Sequence, residues 1–159
     1  MSTKTLDRKT AKVGRAYEAD LYGWVEDQVA LLKANEVGSI DASNITRELE
    51  DLGRSEFNKL VGALRVVLLH LLKWDHQPER RSRSWVMTIA TQRDQIAYEL
   101  EDSPSLKPRL QEALQKAYAH GLRDAERETG LPLSVFPDVC PYEWHDVTQR
   151  PVHLDDDPL

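Results

Sequence analysis

The chain has 159 residues, of which 40% are apolar and 30% charged, and its formal net charge is −6 at pH 7. This length favours a single domain that buries a core without disulfide or metal support. The single cysteine, Cys140, excludes an intramolecular disulfide and a cysteine-rich zinc site. The abundance of Leu, Ala, Glu, Arg and Gln favours helix over sheet.

The first sixteen residues are polar and basic without hydrophobic periodicity, which predicts a flexible arm over residues 1–16. No apolar stretch follows that would form a secretory signal or an anchor. The longest apolar run, in residues 60–74, is interrupted by Arg65, His70 and Lys73 and is too short to cross a bilayer. We therefore expect a cytoplasmic protein that has no membrane segment.

A first amphipathic helix is predicted from Asp20 to about Asn35, before Gly38 ends the pattern. Its apolar residues recur at intervals of three and four, which places them on one face of a helix. They are Leu21, Trp24, Val25, Val29 and Leu32.

A second, short helix is predicted after Asp41, whose side chain suits an N-cap. Ile40 and Ile45 have the spacing of a hydrophobic staple. Gly53 is predicted to break or kink this helix. Its inward stripe is predicted to consist of Ile45, Leu49 and Leu52.

A long helix is predicted from about Ser55 to Trp74, and the rest of the chain is expected to be organised around it. Apolar residues cover most of its helical wheel, so it needs neighbours on nearly every side. A polar connection over residues 75–83 follows, and its Pro78 cannot lie inside a helix.

Two further long helices are predicted. The first is capped by Ser82 or Ser84 and extends to the Ser-Pro-Ser sequence at residues 103–105. The second begins at Pro104 and reaches Thr129, where Gly130 follows as a helix-ending residue. Small residues at four-residue spacing on the second helix let a neighbouring backbone come close. They are Ala113, Ala117, Gly121 and Ala125.

The region after Gly130 is rich in proline, which predicts an extended segment that wraps the bundle, with Phe136 and Trp144 as its anchors. An acidic tail over residues 150–159 is predicted to be disordered. The chain is thus predicted to be all-α: a compact helical bundle of about four to five helices with a proline-rich C-terminal segment, in one domain over residues 17–149.

Charge is distributed unevenly along the chain. Residues 1–53 carry 7 basic and 10 acidic groups, residues 54–93 carry 8 and 3, and residues 94–159 carry 6 and 14. A basic central region that pairs with acidic helices is the favoured interpretation. A nucleic-acid surface stays open but is disfavoured, because such proteins usually are basic overall and carry interleaved aromatic residues.

The motifs that carry common chemistries are missing from the sequence. It has no Glu-x-x-His pair for a metal in a helical bundle, no glycine-rich phosphate loop and no nucleophile elbow. Cys140 lies in a proline-rich stretch, where a small buried hydrophobic residue is the favoured interpretation. We therefore expect no metal and no cofactor, and we assign no catalytic residue.

Four polar residues lie at or beside positions that helical periodicity turns inward: Glu48, His70, Gln92 and Arg93. A buried charge is costly unless it is paired, so Arg93 should have a carboxylate or carbonyl partner, and Glu48 is a candidate. Two interpretations stay open. One is a small polar pocket in which His70 titrates near neutral pH and Arg93 holds an anion. The other, which we favour, is a structural network that fixes helix register.

Four stretches resemble a known family in their order and spacing. They are ITRELEDLGRSE at 45–56, HLLKWDHQP at 70–78, RSRSWVMTIATQRDQI at 81–96 and ETGLPLSVFPDVCPY at 128–142. These are similar to the bacterial family catalogued as domain of unknown function 29, and the resemblance covers about residues 17–147. It implies a compact all-helical bacterial domain and supplies no catalytic residue.

Two functions are carried forward. The first is a non-enzymatic protein-interaction or regulatory module, which binds a protein partner or associates with itself. The alternative is a protein or enzyme that binds a small molecule or anion at an internal polar site around His70 and Arg93.

Overall fold

The computed structural model describes residues 14–154. The chain divides into two compact units, Met1–Asp51 and Leu52–Leu159. The described part contains five α-helices and no strand, which confirms the all-α prediction. The helices are α1 (Leu21–Lys33), α2 (Ala42–His76), α3 (Arg83–Asp102), α4 (Leu110–Thr129) and α5 (Trp144–Gln149).

In the first unit, aspartate caps begin both helices. The side chain of Asp20 accepts a hydrogen bond from the backbone N–H of Gly23 at 2.9 Å. Asp41 accepts one from the backbone N–H of Asn44 at 3.2 Å, so the predicted cap at Asp41 is confirmed. A short 3₁₀ turn, Val37–Ser39, lies between the two helices.

Two predictions about α2 are wrong. The predicted break at Gly53 does not occur, and the two helices predicted after Asp41 and from Ser55 to Trp74 are one continuous helix. One glycine costs only about 1 kcal/mol, and the burial of the following turns outweighs that cost. The predicted inward stripe is also wrong, since Leu49 is 62% exposed and Leu52 is 56% exposed. The part of α2 that lies in a core begins at Phe57.

The core of the second unit forms around the remainder of α2. Leu60, Leu64 and Leu68 are fully buried there, together with Ile89 and Ile96 of α3. The predicted small-residue face of α4 is confirmed: Ala113, Ala117, Gly121 and Ala125 are all buried. Gly121 lies so close to α2 that a Cβ atom there would be 3.3 Å from the backbone oxygen of Arg65.

The boundaries of α3 and α4 differ from the prediction at one point. Pro104 does not begin the last long helix; it opens a separate 3₁₀ turn, Pro104–Arg109, because Pro108 cannot donate the backbone hydrogen bond that an α-helix requires. Ser82 is the cap of α3. Gly130 has a φ of 72° and ends α4, as predicted.

The proline-rich segment is anchored by more residues than predicted. Phe136 is buried in the core cluster, but Trp144 is only partly buried, and Tyr142 and Val147 are buried more deeply. The predicted flexible arm and disordered tail fall largely on residues 1–13 and 155–159, which lie outside the described residues. The predicted single domain over residues 17–149 stays a prediction.

Candidate functional site

The first unit exposes an apolar stripe on α1. Leu21, Val25, Val29 and Leu32 are each between 40% and 49% exposed, although the sequence pattern is that of a core-facing helix. Tyr22, beside them, is 75% exposed. At about 100° per residue, all five lie within about a third of the helix circumference. We call these five residues the α1 face.

The α1 face is uncovered because another side of α1 makes the contacts within the unit. Trp24 is buried, and its indole N–H donates to Asp41 at 3.2 Å. Gln28 is also buried, and its Oε1 accepts from the backbone N–H of Asp41 at 2.7 Å. These two hydrogen bonds fix the rotation of α1, which leaves the leucines and valines of the α1 face exposed to solvent.

Glu48, a residue of the predicted polar cluster, lies in this first unit. Its carboxylate accepts a hydrogen bond from the hydroxyl of Tyr17. That hydrogen bond raises the pKa of Tyr17, and burial acts in the same direction. The Tyr17 ring also lies edge-on to Trp24, with centroids 5.0 Å apart. Glu48 therefore helps to hold Tyr17 in place.

Acidic residues outnumber basic residues in both units. Residues 1–51 contain ten acidic and seven basic residues, and residues 52–159 contain seventeen and fourteen, so each unit has a formal charge of −3. Three of the basic residues lie in the described part of the first unit, residues 14–51. Two of the three bases are paired inside the unit. Arg15 contacts Asp27 at 3.0 Å and Glu26 at 3.3 Å, and Arg47 lies 3.9 Å from Glu18.

His70 lies in the second unit, partly buried on α2. Its Nδ1 is 2.8 Å from the carbonyl oxygen of Val66, which accepts hydrogen bonds only, so Nδ1 carries the proton. Burial lowers the pKa of His70, and the nearby Lys73 acts in the same direction. The neutral imidazole packs edge-on to Trp85, whose ring also lies 4.6 Å from Lys73 Nζ.

Gln92 and Arg93 are adjacent, partly buried residues of α3. Arg93 donates to the backbone oxygens of Val147 at 2.8 Å and Asp146 at 3.0 Å, so its partners are carbonyls of α5 and not Glu48. Burial lowers the pKa of Arg93. Among the described residues, no hydrogen bond joins any two members of the predicted cluster, and their grouping into one site stays a prediction.

A second polar constellation, which the sequence analysis missed, holds the C-terminal segment. Asp75 accepts from Arg150 Nη2 at 2.6 Å, from Arg150 Nη1 at 2.9 Å and from the Tyr142 hydroxyl at 2.8 Å. Burial alone would raise the pKa of Asp75, but these hydrogen bonds outweigh it and hold the pKa below its usual value. The sequence pattern gives little indication that Asp75 and Arg150 meet, because Asp75 begins a polar connection and Arg150 begins an acidic tail.

An apolar groove of about 840 Å³ lies in the second unit, between α4 and residues 138–144. Its walls include Leu114, Leu122 and Trp144, with Cys140 and Tyr118 among the lining residues. Burial raises the pKa of the Cys140 thiol and raises that of Tyr118 to about 12. Both groups are therefore neutral at pH 7, and the groove presents no activated nucleophile.

Comparison with known proteins decides the family. The sequence profile described as domain of unknown function DUF29 matches residues 16–151. The chain belongs to this family. The match confirms the resemblance seen in the sequence. Searches of curated proteins and of solved structures each gave no match to this DUF29 chain.

Two further findings apply to the described part of this DUF29 domain. No helix within residues 14–154 combines the length and apolar character that a bilayer crossing requires. In the same range, no three His, Cys, Asp or Glu side chains are grouped so that they could hold a metal ion.

Proposed function

We propose that this chain is a protein-interaction module and that the α1 face receives a helix of a partner protein. The observation that carries the proposal is the exposure of Leu21, Val25, Val29 and Leu32 on one side of a single helix. Isolated exposed apolar residues are normal on protein surfaces, but a contiguous apolar patch is typical of an interface.

The energetics support binding at this face. Fully burying a Leu or Val side chain is worth about 1.5–3 kcal/mol, so covering a half-exposed one releases about 1 kcal/mol. Four such residues, with Tyr22 at the edge, supply several kcal/mol toward association. The hydrogen bonds of Trp24 and Gln28 to Asp41 hold α1 in the rotation that leaves this face exposed.

Proximity labelling in the native cell tests this proposal with a pair of matched variants. Val25→Gln with Leu32→Gln removes the apolar character of the α1 face, and glutamine maintains helix propensity. Tyr98→Gln changes a residue of α3 that is 62% exposed and serves as the control. We expect a set of labelled proteins to disappear with the double variant and to persist with the control. An identical labelled set for the wild type and both variants would refute the proposal.

We also propose that the protein acts in the bacterial cytoplasm. The family resemblance supports a bacterial source, and Cys140, the one cysteine of the chain, is a free thiol. Fractionation of the native cell, followed by immunodetection, is expected to place the chain in the cytoplasmic fraction. Recovery from the periplasmic fraction would contradict this assignment.

A further inference from the structure

We infer that the groove between α4 and residues 138–144 is a second binding site, which receives the extended C-terminal end of a partner protein. The groove lies in the second unit, so the inference goes beyond the α1 face and does not depend on it. It follows from the fixed outer wall of the groove, from two rows of residues on α4 and from the arginine that ends one of these rows.

Hydrogen bonds on both sides of residues 138–141 hold the outer wall of the groove in place. The Tyr118 hydroxyl of α4 donates to the backbone oxygen of Pro137, and the Tyr142 hydroxyl donates to Asp75 at 2.8 Å. The groove volume of about 840 Å³ lies within the range of ligand sites, roughly 300–1,000 Å³. Because the groove exists before binding, a ligand loses little free energy to ordering of the protein.

Two neighbouring rows of α4 residues line the groove, and in each row the residues are four apart and so lie on one side of the helix. The inner row is apolar and largely buried, and it consists of Leu114, Tyr118 and Leu122. The outer row is exposed, and it consists of Gln111, Gln115, Ala119 and Arg123. The outer row spans about 18 Å along α4.

These dimensions fit an extended peptide, of which about five residues cover about 17 Å. Gln111 and Gln115 are about 6 Å apart along α4, close to the roughly 6.6 Å between alternate residues of an extended chain. Their amides can therefore bond to the peptide backbone while alternate side chains contact the inner row. An α-helix of the same length, about 10 Å across, occupies about 1,400 Å³ and exceeds the groove.

Arg123 provides a binding group for a carboxylate at one end of the outer row. Within residues 14–154, the side chains of Gln111, Gln115 and Arg123 form no hydrogen bond or ion pair with the rest of the chain. Arg127, one turn further along α4, lies outside the groove and pairs with Asp124. A peptide that follows the outer row thus places its last residue at Arg123, whose guanidinium binds the terminal carboxylate.

Two carboxylates in the outer wall favour the chain end over an acidic side chain as the partner of Arg123. Asp138 and Glu143 are exposed and line the groove, and neither forms an ion pair with Arg123. They accept N–H groups of a bound backbone and repel acidic side chains within the peptide. An alkyl carboxylate would bind Arg123 but has no N–H group for Asp138 or Glu143.

Selection from a peptide library tests the inference on the full chain. One library displays random peptides of about seven residues with a free C-terminus, and a matched library links the C-terminus to the carrier. We expect enrichment only from the first library, of sequences with apolar residues at alternate positions. A synthetic enriched peptide should bind about ten-fold more tightly than its C-terminal amide in fluorescence anisotropy. No enrichment, or equal enrichment from both libraries, would overturn the inference.

Matched variants locate the binding site. Ala119→Trp fills the groove from an exposed position of α4 and should abolish binding, whereas Ala90→Trp, at an exposed position of α3, should preserve it. Arg123→Gln should remove the advantage of the free carboxylate over the amide. Arg80→Gln removes an exposed charge outside the groove and should preserve that advantage. Binding that survives Ala119→Trp, or a carboxylate advantage that survives Arg123→Gln, would contradict the proposed site.

Cys140 reports on the groove in the unaltered chain, because it is the single cysteine and it lines the groove. A saturating concentration of the enriched peptide should slow the reaction of Cys140 with a maleimide several-fold. An unchanged rate would show that the peptide binds elsewhere and would overturn the inference. Protection by decanoate without any peptide enrichment would identify an alkyl chain as the occupant and would also overturn it.

The proposed function is tested separately from this inference. Val25→Gln with Leu32→Gln alters the α1 face of the first unit and should leave peptide binding in the second unit unchanged. Loss of peptide binding in this double variant would count against the groove as the site.

Discussion

At the scale of single residues, Asp75 joins the end of α2 to the C-terminal segment. Its carboxylate accepts hydrogen bonds from both terminal nitrogens of Arg150 and from the hydroxyl of Tyr142. These two residues lie on either side of α5, so one carboxylate holds both ends of residues 142–150 against the end of α2. Arg93 fixes the same segment through two backbone carbonyls. These contacts explain why residues 142–150 form an ordered part of the second unit.

We predict that Asp75→Asn destabilises the protein by about 1–3 kcal/mol at pH 7, because it removes the charge from a partly buried, hydrogen-bonded pair. The folded pKa of Asp75 lies below its usual value of 3.8. The stabilisation is therefore complete above that value and is lost as the pH falls through the folded pKa. Urea unfolding of both proteins should show a stability difference that shrinks as the pH is lowered below about 4.

Asp94→Asn provides the control for this experiment. Asp94 is an exposed residue of α3, and its replacement should change the unfolding free energy little, both at pH 7 and in strong acid. A stability difference for Asp75→Asn that is the same at pH 7 and in strong acid would contradict the role given to the ionised carboxylate.

At the scale of secondary structure, the sequence predicts the elements better than their exposed faces. The cap at Asp41 and the small-residue face of α4 follow from local rules that the tertiary structure obeys. The same rules do not predict which way α1 and the first turns of α2 face. A periodic apolar stripe has the same sequence pattern whether it packs in a core or against a partner. Tertiary contacts, among them those of Trp24 and Gln28 with Asp41, fix the rotation of α1.

The candidate site shows the same limit. Glu48, His70 and Arg93 are all at least partly buried, as the periodicity predicts, but their partners are Tyr17, Val66 and the carbonyls of α5. Periodicity indicates which way a side chain points and carries no information about which distant residue meets it.

We predict that alanine has opposite effects at two helical glycines. Gly53 lies in α2 with no atom within 4 Å of the position of a Cβ, so Gly53→Ala should stabilise the protein by about 0.5–1 kcal/mol through helix propensity. Gly121→Ala should destabilise it by about 1–3 kcal/mol, because the methyl group would press on the backbone of α2 at Arg65. Thermal unfolding of the two variants checks both signs. A loss of stability in Gly53→Ala would contradict the continuous helix.

At the scale of the whole molecule, the two units use their apolar residues differently. The first unit carries the α1 face, while the larger second unit contains a core built on α2. The uneven charge along the sequence does not distinguish the two units, because residues 1–51 and residues 52–159 each have a formal charge of −3.

Site-specific photo-cross-linking in the native cell tests the central claim most directly. A photoreactive phenylalanine derivative replaces Val25 in one variant and Tyr98 in a second, both of which are exposed. Irradiation should give an adduct of higher mass with a distinct partner protein at position 25 and none at position 98. The absence of an adduct at position 25, or the same adducts at both positions, would contradict the claim that the α1 face is a binding surface.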